Sequence, residues 1–548
     1  MKIKKVKIKN FKCYYGEFVL ELSDGMNILV GNNEAGKSTI LEAIHLALTG
    51  LLNGRQIKNE LTQYLFNNTA VTEYLTNLEQ GRNPELPYIL IEIYLSGGDI
   101  ELFEGNGNSE RAKESGVSLK IAFDEKFQRE YEQLVSKDGV KTLPIEYYDL
   151  VWSSFARETI TPRSIPLNSA MIDSSSNRYQ NGSDIYISRI VRENLEPEDI
   201  VDISQAHRKM RDNFMSSESI KSINEKIQQS AVLTGKKVEL SVELLSKNAW
   251  ENSLVTYLDA VPFHFVGKGE QCIVKTELAL SHKKTKEAAV ILVEEPENHL
   301  SHTKLNQFIS KIAENQQDKQ IIISTHSSFV ANKLGLSNLI LLNDKKAIRL
   351  NDLEDDTKSF FQKIAGYDTL RLILCKKAIL VEGDSDELVV QKAYMLENDG
   401  KLPIQNEIDV ISVGTSFLRF LEIAELLNKP VVVVTDNDGD IDAVNRKYSE
   451  YLGKNDKANI KICFDNAVDE GSLMIGKNPF NYNTLEPKLL KANKLDKLNA
   501  IFGSTYVNDN EMHKFMKSNK TECALKIFET ENPIVFPEYI LEAIKCWI

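Results

Sequence analysis

The chain lacks the paired cysteines that structural zinc sites and disulfide frameworks use. Its six cysteines, at positions 13, 272, 375, 463, 523 and 546, never form a C-x-x-C pair. It also lacks an apolar run near the roughly 18 residues that span a bilayer, and the lysine-rich start MKIKKVKIKN precedes no long apolar core. We therefore expect a soluble cytoplasmic protein with no membrane partner.

A strong positive charge is absent as well. The formal net charge is -13 and the sequence pI is about 5.4, so any nucleic acid must be bound through local basic patches or metal ions. The chain has 548 residues, of which 42% are hydrophobic and 26% charged. This composition is typical of a globular protein, and the length predicts roughly two to four domains.

A glycine-rich turn follows an apolar strand predicted at Ile28–Val30, within MNILVGNNEAGKSTILEAIHLALTG. The turn matches the G-x-x-x-x-G-K-[ST] pattern and leads into an apolar-periodic helix from about Lys37. The glycines let backbone N–H groups close around phosphate oxygens, Lys37 reaches the outer phosphates, and the Ser38 hydroxyl can join a Mg²⁺ shell. We predict an ATP site at Gly31, Asn32, Asn33, Gly36, Lys37, Ser38 and Thr39.

Two later strands carry polar side chains at their ends. In AAVILVEEPENHL the apolar run Ala289–Val293 is followed by Glu294, which can hold the metal's water, and Glu295, which can orient the attacking water in phosphoryl transfer. A further apolar strand in KQIIISTHSSFV leaves His326 at its carboxyl end, where open α/β sheets bind ligands. We predict that His326 senses the γ-phosphate. The alternatives are a charged helix cap for the glutamates and a structural role for the histidine.

Carboxylates also follow two apolar strands in the last third of the chain. In CKKAILVEGDSDELVVQKA the run Ala378–Val381 is followed by Glu382 and Asp386, and in KPVVVVTDNDGD a valine run ends in Asp436 and Asp438. Parallel strands bring their carboxyl ends to one edge of a sheet, so we expect these acids to converge. Such oxygen donors suit Mg²⁺ or Mn²⁺, which can drive phosphodiester cleavage. The alternative is that the acids cap a helix and favour its dipole.

The order of P-loop, acidic strand and histidine strand resembles ABC-type ATPases of the SMC and RecF-like branch, in which two heads sandwich ATP. The resemblance implies an ATPase domain over residues 1–350 and a homo-oligomer, either a dimer or a tetramer. FVGKGEQ (Phe265–Gln271) is similar to the family's signature loop, which touches the γ-phosphate from the opposite subunit. A polar loop, NSAMIDSSSNRYQNGSD, leads into helical sequence. The insert at about 155–235 is either a dimerisation arm, as the resemblance implies, or an ordinary helical subdomain.

An E-G turn followed by D-x-D on a later strand resembles the Toprim domain of topoisomerases, primases and certain nucleases. An ABC-type ATPase joined to a C-terminal Toprim domain resembles the OLD (overcoming lysogenization defect) family of ATP-dependent nucleases. The resemblance implies an α/β fold throughout. It places a linker helix at residues 351–375 and a Toprim domain, with a Rossmann-like parallel sheet, at residues 376–548.

The same resemblance implies roles for individual side chains. The implied metal ligands or catalytic base are Glu382, Asp386, Asp436 and Asp438. NYNTLEPKLL supplies a further metal ligand, Glu486, which is similar to the acid of the family's T-L-E element. NKTECALKIF places Lys520 as in the family's K-G-x-x-A element, with Thr521 in place of the glycine. There the lysine stabilises charge on the cleaved phosphate.

We therefore predict an ATP-regulated, divalent-metal-dependent DNA endonuclease, for which the resemblance implies a role in anti-phage defence. Gabija-type defence nucleases and retron-associated effectors share the layout, so a helicase or a reverse transcriptase is an expected partner. The alternative is an ATP-switched DNA clamp or sensor whose Toprim half binds metal and DNA without cutting. A topoisomerase is disfavoured, because no spare segment is large enough for a gate domain with a tyrosine nucleophile.

Overall fold

The computed structural model describes the chain in ranges separated by gaps. The ranges are residues 1–32, 34–98, 101–137, 140–173, 179–180, 183–184, 195–230, 240, 256–281, 287–298, 303–304, 307, 310, 319–327, 330, 338–343, 345–349, 353–357, 360 and 367–546. The chain forms two compact units, residues 1–330 and residues 331–548. Both contain helices and parallel strands, which confirms the predicted α/β class. The domain bounds predicted from the sequence stay predictions.

The first unit carries an antiparallel sheet, a parallel sheet and helices. Its strands are β1 Lys2–Lys9, β2 Glu17–Glu21, β3 Met26–Val30, β4 Ile89–Ser96, β5 Glu114–Phe123, β6 Tyr148–Ser154, β7 Ser169–Asp173, β8 Val290–Glu294 and β9 Gln320–Thr325. Two-residue strands lie at Leu51–Leu52, Arg55–Gln56, Glu104–Gly105, Thr159–Ile160, Tyr179–Gln180, Ser183–Asp184, Tyr257–Leu258 and Val261–Pro262. Its helices are α1 Lys37–Thr49, α2 Ile57–Glu60, α3 Asn68–Glu79, α4 Gln128–Lys137, α5 Pro197–Ser216, α6 Glu218–Ser230 and α7 Lys268–Ser281.

The antiparallel sheet places its strands in the order β6, β5, β4, β1, β2, with Thr159–Ile160 beside β6. Lysines of β1 form ion pairs across this sheet. The Nζ of Lys5 lies 2.7 Å from a carboxylate oxygen of Glu110, and the Nζ of Lys7 lies 2.8 Å from one of Glu17. Neighbouring carboxylates therefore partly neutralise the lysine-rich start of the chain.

The parallel sheet places β7, β8, β9 and β3 side by side in that order. Its register pairs Glu294 with Ser324 and Thr325 with Val30. The residues of β3 and β9 are buried throughout, as expected for parallel strands that are covered on both faces. The carboxyl ends of β3, β8 and β9 therefore meet at one edge of the sheet, and the motif residues follow these ends.

Strand β7 lies where the sequence had indicated a polar loop, NSAMIDSSSNRYQNGSD. That prediction was wrong for Ser169–Asp173, which pairs in parallel with β8. Three apolar residues in succession, Ala170–Ile172, are enough to add a strand once β8 offers a pairing edge. Helices α5 and α6 fall within the predicted helical segment. Residues 174–178, 181–182, 185–194 and 231–239 lie outside the described residues, and the role of the insert stays a prediction.

The second unit is built around another parallel sheet. The strands of this sheet are β12 Lys377–Val381, β13 Ile408–Ser412, β14 Val431–Val434 and β15 Ile460–Cys463. Outside it, β10 Leu339–Asn343 pairs antiparallel with β11 Lys346–Arg349, and the two-residue strands Met474–Ile475 and Asn478–Pro479 pair antiparallel with each other. Its helices are α8 Tyr367–Leu374, α9 Asp384–Glu397, α10 Phe417–Leu426, α11 Ile441–Lys447, α12 Leu485–Asn493, α13 Leu495–Phe502, α14 Asp509–Ser518, α15 Lys520–Glu529 and α16 Glu538–Lys545. In neither unit does the described part of the chain contain a helix long and apolar enough to cross a membrane.

This sheet has the strand order β13, β12, β14, β15, with every pairing parallel. Ala378 pairs with Val431 and Leu380 with Val433, so β12 and β14 are direct neighbours. Their side chains on one face join a buried core with α9, α12 and α16. The two strands that precede the predicted acidic clusters therefore end side by side, as expected.

A buried histidine packs in the helical layer of this unit. The ring of His513 lies 4.9 Å from that of Phe480 and 5.3 Å from that of Tyr482, measured between centroids. The residue is 7% exposed, and its Nδ1 has no hydrogen-bond partner among the described residues. Burial lowers the pKa of His513, because it disfavours the imidazolium more than nearby Asp509 favours it.

We expect His513 to contribute measurably to the pH dependence of the free energy of unfolding. The pKa of His513 in the folded state lies below the ordinary value of 6.5. Above pH 6.5 the histidine is neutral in both states and the free energy of unfolding is unaffected. As the pH falls below 6.5 and through the lowered pKa, the unfolded state binds the proton first and the free energy of unfolding decreases. His513→Leu should therefore reduce the loss of unfolding free energy between about pH 8 and about pH 5. Urea unfolding at both pH values measures this change. An equal loss in both proteins would contradict it.

Candidate functional site

The glycine-rich turn between β3 and α1 depends on glycine at position 36. Gly36 has φ 91°, a region that side chains disfavour. A Cβ there would lie 2.6 Å from the Tyr14 hydroxyl and 2.9 Å from the Cys13 Sγ. The segment before β2 thus presses against the turn, and the Cys13 Sγ lies 3.5 Å from the Thr39 hydroxyl. Any side chain at position 36 would displace the turn.

Lys37 begins α1 and is 3% exposed. Its Nζ donates to the carbonyl oxygens of Gly31, at 2.8 Å, and Asn32, at 3.0 Å. Burial lowers the pKa of Lys37, while Glu295, Glu297 and Glu294 oppose that shift. The ammonium therefore lies close to the acidic end of β8. Ser38, next in α1, is half-buried, and predicted residue Asn33 lies outside the described residues.

The acids after β8 are held by the end of β9. The Glu295 N–H donates to the Ser324 carbonyl oxygen at 3.0 Å, and the Asn298 side-chain amide donates to Glu295 Oε2 at 2.9 Å. Glu295 has φ 39°, and such strain in a residue other than glycine clusters at functional sites. Its neighbour Glu294 ends β8 opposite Ser324. The fold therefore presents the Glu295 carboxylate in a defined position.

His326 follows β9 directly, and its side chain is 44% exposed. Its Nδ1 lies 3.5 Å from Glu295 Oε1 and 3.4 Å from Glu297 Oε1. Lys37, Glu294, Glu295 and His326 are thus gathered at one sheet edge, as the motif order had indicated. Glu297 was not singled out from the sequence, although it is the third glutamate of the same EEPE stretch.

The loop similar to a signature loop contains a short turn, Phe263–Phe265, and the start of α7. Gln271 is 4% exposed, and its Nε2 donates to the carbonyl oxygens of Phe263, at 2.9 Å, and Val266, at 2.8 Å. Phe265 is 74% exposed. Gln271 therefore secures the loop from within, and contact with a nucleotide in an opposite subunit stays a prediction.

The second unit brings the predicted acids together at the ends of β12 and β14. Glu382 follows β12, Asp386 lies in the first turn of α9, Asp436 and Asp438 follow β14, and Glu486 lies in α12. Burial, followed by the charges of Glu486 and Glu382, raises the pKa of Asp386 to about 6. Burial and these neighbours raise the pKa of Asp436 well above its usual value. Burial and then Asp438 raise the pKa of Glu382.

Backbone and side-chain donors orient several of these carboxylates. The Leu485 N–H donates to Asp436 Oδ2 at 3.3 Å, and the Asn481 amide donates to Asp438 Oδ1 at 2.8 Å. Asp438 itself has φ 48°, in the left-handed region. The N-terminus of α12 thus lies against the end of β14, which is why the T-L-E element joins the D-x-D element.

Lys520 supplies positive charge to the acids. Its Nζ lies 2.9 Å from Glu486 Oε1, and the glutamate side chain is 9% exposed. Burial alone would lower the pKa of Lys520, but Glu486, Asp386 and Asp436 outweigh burial and raise the pKa. The structure therefore places Lys520 with the predicted acids even though Thr521 departs from the family's glycine.

Helix capping also occurs here, so the alternative explanation is correct in part. The Gly383 N–H donates to Asp386 Oδ2 at 3.1 Å across the first turn of α9. Asp440 caps α11, since its Oδ1 accepts from the Ala443 N–H at 2.8 Å. Capping explains why Asp386 and Asp440 suit these positions, but it leaves the mutual repulsion of Glu382, Asp386 and Asp436 unexplained.

The donor chemistry of the cluster fits a divalent cation of the Mg²⁺ class. Burial and neighbouring carboxylates, Asp438 and Glu486 among them, raise the pKa values of Glu382, Asp386 and Asp436, and Lys520 and Lys447 oppose these shifts at Glu382. This excess of oxygen donors and negative charge suits a hard cation. Within the part of the chain that the structure describes, however, no three His, Cys, Asp or Glu side chains are grouped as metal ligands. The individual ligand roles stay predictions.

Sequence reasoning missed the residues that hold the next loop against this cluster. The Lys488 Nζ lies 2.7 Å from Asp465 Oδ2 and 2.8 Å from Asp469 Oδ2, and the lysine side chain is 3% exposed. The Asn437 amide donates to the Asp465 carbonyl oxygen at 2.6 Å. Asn437 lies between the two aspartates of D-x-D, and Lys488 lies two residues after Glu486. Their sequence positions, within or next to the two motifs, are therefore the signal that could have identified these residues.

Comparison with known families matches both units. A family model described as AAA domain matches residues 5–374, which is more than half of the chain. A model described as "Overcoming lysogenization defect protein-like, TOPRIM domain" matches residues 373–438.

Individual relatives match short segments. The "DNA replication and repair protein RecF" of Streptococcus uberis is 39% identical over 87 residues, which are 16% of this chain and 23% of that protein. The "DNA double-strand break repair Rad50 ATPase" of Archaeoglobus fulgidus is 41% identical over 61 residues, or 11% of this chain and 7% of that protein. The matched segments thus span less than a quarter of either relative.

Solved structures were also matched. The SMC head domain from Thermotoga maritima gives a TM-score of 0.29 at 15% identity, covering 63% of this chain and 97% of that one. The RecF–ATP structure gives a TM-score of 0.32 at 12% identity, covering 64% of this chain and 97% of that one. Scores this low carry no argument, so the assignment depends on the family matches. The chain belongs to the AAA-domain ATPase family and continues into an OLD-like Toprim domain, which is the layout of the overcoming-lysogenization-defect family.

Proposed function

We propose that this protein is an ATP-regulated, divalent-metal-dependent DNA endonuclease that acts in the cytoplasm in anti-phage defence. The observation that carries the proposal is the acidic cluster at the ends of β12 and β14. Burial and the neighbouring carboxylates raise the pKa values of Asp386 and Asp436, and a bound cation would compensate for this repulsion. The OLD-like Toprim match supports the same conclusion.

The side chains of the cluster have distinct tasks in this proposal. Glu382, Asp386, Asp436, Asp438 and Glu486 would hold Mg²⁺ or Mn²⁺. When bound, such an ion supplies Lewis-acid chemistry and lowers the pKa of a bound water. The hydrogen bonds from Leu485 and Asn481 fix the Asp436 and Asp438 carboxylates before substrate arrives. Lys520, which is half-exposed, stabilises the negative charge on the cleaved phosphate.

ATP regulates this activity from the first unit. Lys37 and Ser38 bind phosphates and metal, Glu294 holds the metal's water, Glu295 orients the attacking water, and His326 senses the γ-phosphate. ATP binding would favour one arrangement of a dimer or tetramer and so permit or restrain cutting. RecF, by its name a DNA replication and repair protein, supports DNA as the partner. The layout also suggests a helicase or a reverse transcriptase as a protein partner.

Asp436→Asn tests the cleavage step. We expect the variant to lose more than about 100-fold in the rate of plasmid cleavage with Mg²⁺ or Mn²⁺, because even the outer hydrogen-bonding partners of metal ligands are worth about 10- to 100-fold. DNA affinity, measured by fluorescence anisotropy, should stay nearly unchanged, since the substitution removes no lysine or arginine that could contact the DNA phosphates.

Asp440→Asn is the matched control for this substitution. Asp440 is two residues from Asp438 and caps α11, its side chain is 60% exposed, and asparagine caps helices equally well. The control should cleave like the wild type. If wild-type protein binds DNA but cuts none at any nucleotide concentration, the clamp or sensor is the better conclusion.

Metal binding should also be visible as stability. Saturating Mg²⁺ is expected to raise the melting temperature of the transition that contains the Toprim fold by about 5 °C, because a ligand at about 100 times its Kd stabilises by about 2.7 kcal/mol. Glu382→Gln should lose most of this rise, whereas Asp440→Asn should keep it. Differential scanning calorimetry with and without EDTA measures the effect. The same rise in Glu382→Gln would argue against the cluster as the metal site.

Lys37→Ala tests the regulatory half. Removing this buried ammonium should weaken ATP binding by more than about 100-fold, since a buried charge-assisted phosphate contact is lost. Cleavage by the variant should then be the same with and without ATP. Lys58→Ala, at an exposed position of α2, is the control and should bind ATP normally. If cleavage by Lys37→Ala still responds to ATP, regulation through this site is refuted.

A further inference from the structure

Glu297 accepts several hydrogen bonds at the candidate nucleotide site, close to the two predicted glutamates, Glu294 and Glu295. A single carboxylate oxygen, Oε1, accepts from the Thr325 hydroxyl at 2.6 Å, the His326 N–H at 2.9 Å and the Ser327 N–H at 3.1 Å. The side chain is 9% exposed. Glu297 therefore fastens the turn after β8 to the turn after β9, and the fastened backbone is that of His326.

The other oxygen of this carboxylate makes an unfavourable contribution to the free energy of folding. Glu297 Oε2 is buried and has no hydrogen-bond partner among the described residues. A buried acceptor without a partner costs free energy, and more so when it is charged. A buried polar atom of this kind calls for an explanation, and a role at an adjacent functional site is one explanation. Glu297 lies beside His326, which in turn lies beside Glu295, so such a role fits its position.

We propose that Glu297 is a positioning residue of the nucleotide site, which holds the segment Thr325–Ser327 so that the His326 imidazole stays beside Glu295. The His326 Nδ1 lies between the two carboxylates, 3.5 Å from Glu295 Oε1 and 3.4 Å from Glu297 Oε1. Glu297 itself acts through His326 and needs no contact with nucleotide. The kinetic consequence rests on the proposed hydrolysis of ATP, whereas the anchoring of the segment does not.

The same unit offers a matched structural control in Glu92. This glutamate of β4 is 2% exposed, and it also accepts three hydrogen bonds, from the Ser109 N–H and hydroxyl at 2.7 Å each and from the Tyr94 hydroxyl at 3.1 Å. It lies in the antiparallel sheet rather than at the P-loop edge. Glu92→Ala and Glu297→Ala thus remove comparable hydrogen bonding, and a purely structural role predicts the same consequences for both.

The first test is amide hydrogen exchange of the full chain without nucleotide. In Glu297→Ala, peptides that contain His326 and Ser327 should exchange about tenfold faster, the factor expected for losing about 1.4 kcal/mol of hydrogen bonding. Glu297→Gln keeps an acceptor oxygen and should stay within about threefold of wild type. Glu92→Ala should not change these peptides. Unchanged exchange in Glu297→Ala, or equal exchange in the Gln and Ala variants, would overturn the proposal.

The second test is a double-mutant cycle on ATP hydrolysis. We expect Glu297→Ala to lower kcat by about 100-fold, the loss typical of a misplaced catalytic group, with KM for ATP changed by less than about threefold. Adding Glu297→Ala to His326→Ala should lower kcat no further, because both act through one imidazole. Additive losses, or an equal loss of kcat in Glu92→Ala, would show that Glu297 acts otherwise. If the wild type hydrolyses no ATP, the hydrolytic roles proposed for Glu295 and His326 fail, and the exchange result alone decides the role of Glu297.

Discussion

Parallel pairing between buried apolar strands is the constraint on which both candidate sites depend. It makes β3, β8 and β9 end together in the first unit, and β12 and β14 in the second. Polar residues that directly follow such strands therefore lie close together, because the strands cannot change register without exposing their apolar side chains. The chemistry is therefore set by a few residues at strand ends, and the fold fixes which ends are neighbours.

Each site has a lysine close to several carboxylates, but the lysine pKa shifts in opposite directions at the two sites. At the P-loop, burial outweighs the three nearby glutamates and lowers the pKa of Lys37. At the acidic cluster, Glu486 and two aspartates outweigh burial and raise the pKa of Lys520. Lys37 is 3% exposed, whereas the side chain of Lys520 is 50% exposed and forms a direct ion pair. Solvent access thus decides whether desolvation or Coulombic attraction prevails.

The sequence could predict what depends on local order. Apolar runs followed by Glu294, Glu382 and Asp436 mark strand ends, and the rule for parallel sheets brings those ends together. It could not predict contacts that arise only after folding. Strand β7 forms because β8 offers it an edge, and Lys488 is buried because two aspartates from the loop after β15 surround it. Glu297 was visible in EEPE, but its three hydrogen-bond donors come from residues about thirty positions away.

Strain and its compensation follow the same pattern at both sites. Glu295 and Asp438 have positive φ values, 39° and 48°, and each follows a buried strand by a few residues. In each case an asparagine amide holds the carboxylate, Asn298 for the first and Asn481 for the second. Backbone strain of this kind costs about 1–3 kcal/mol and persists only when surrounding contacts fix it. Because an asparagine accompanies each strained acid, the protein's own contacts set the orientation of these carboxylates.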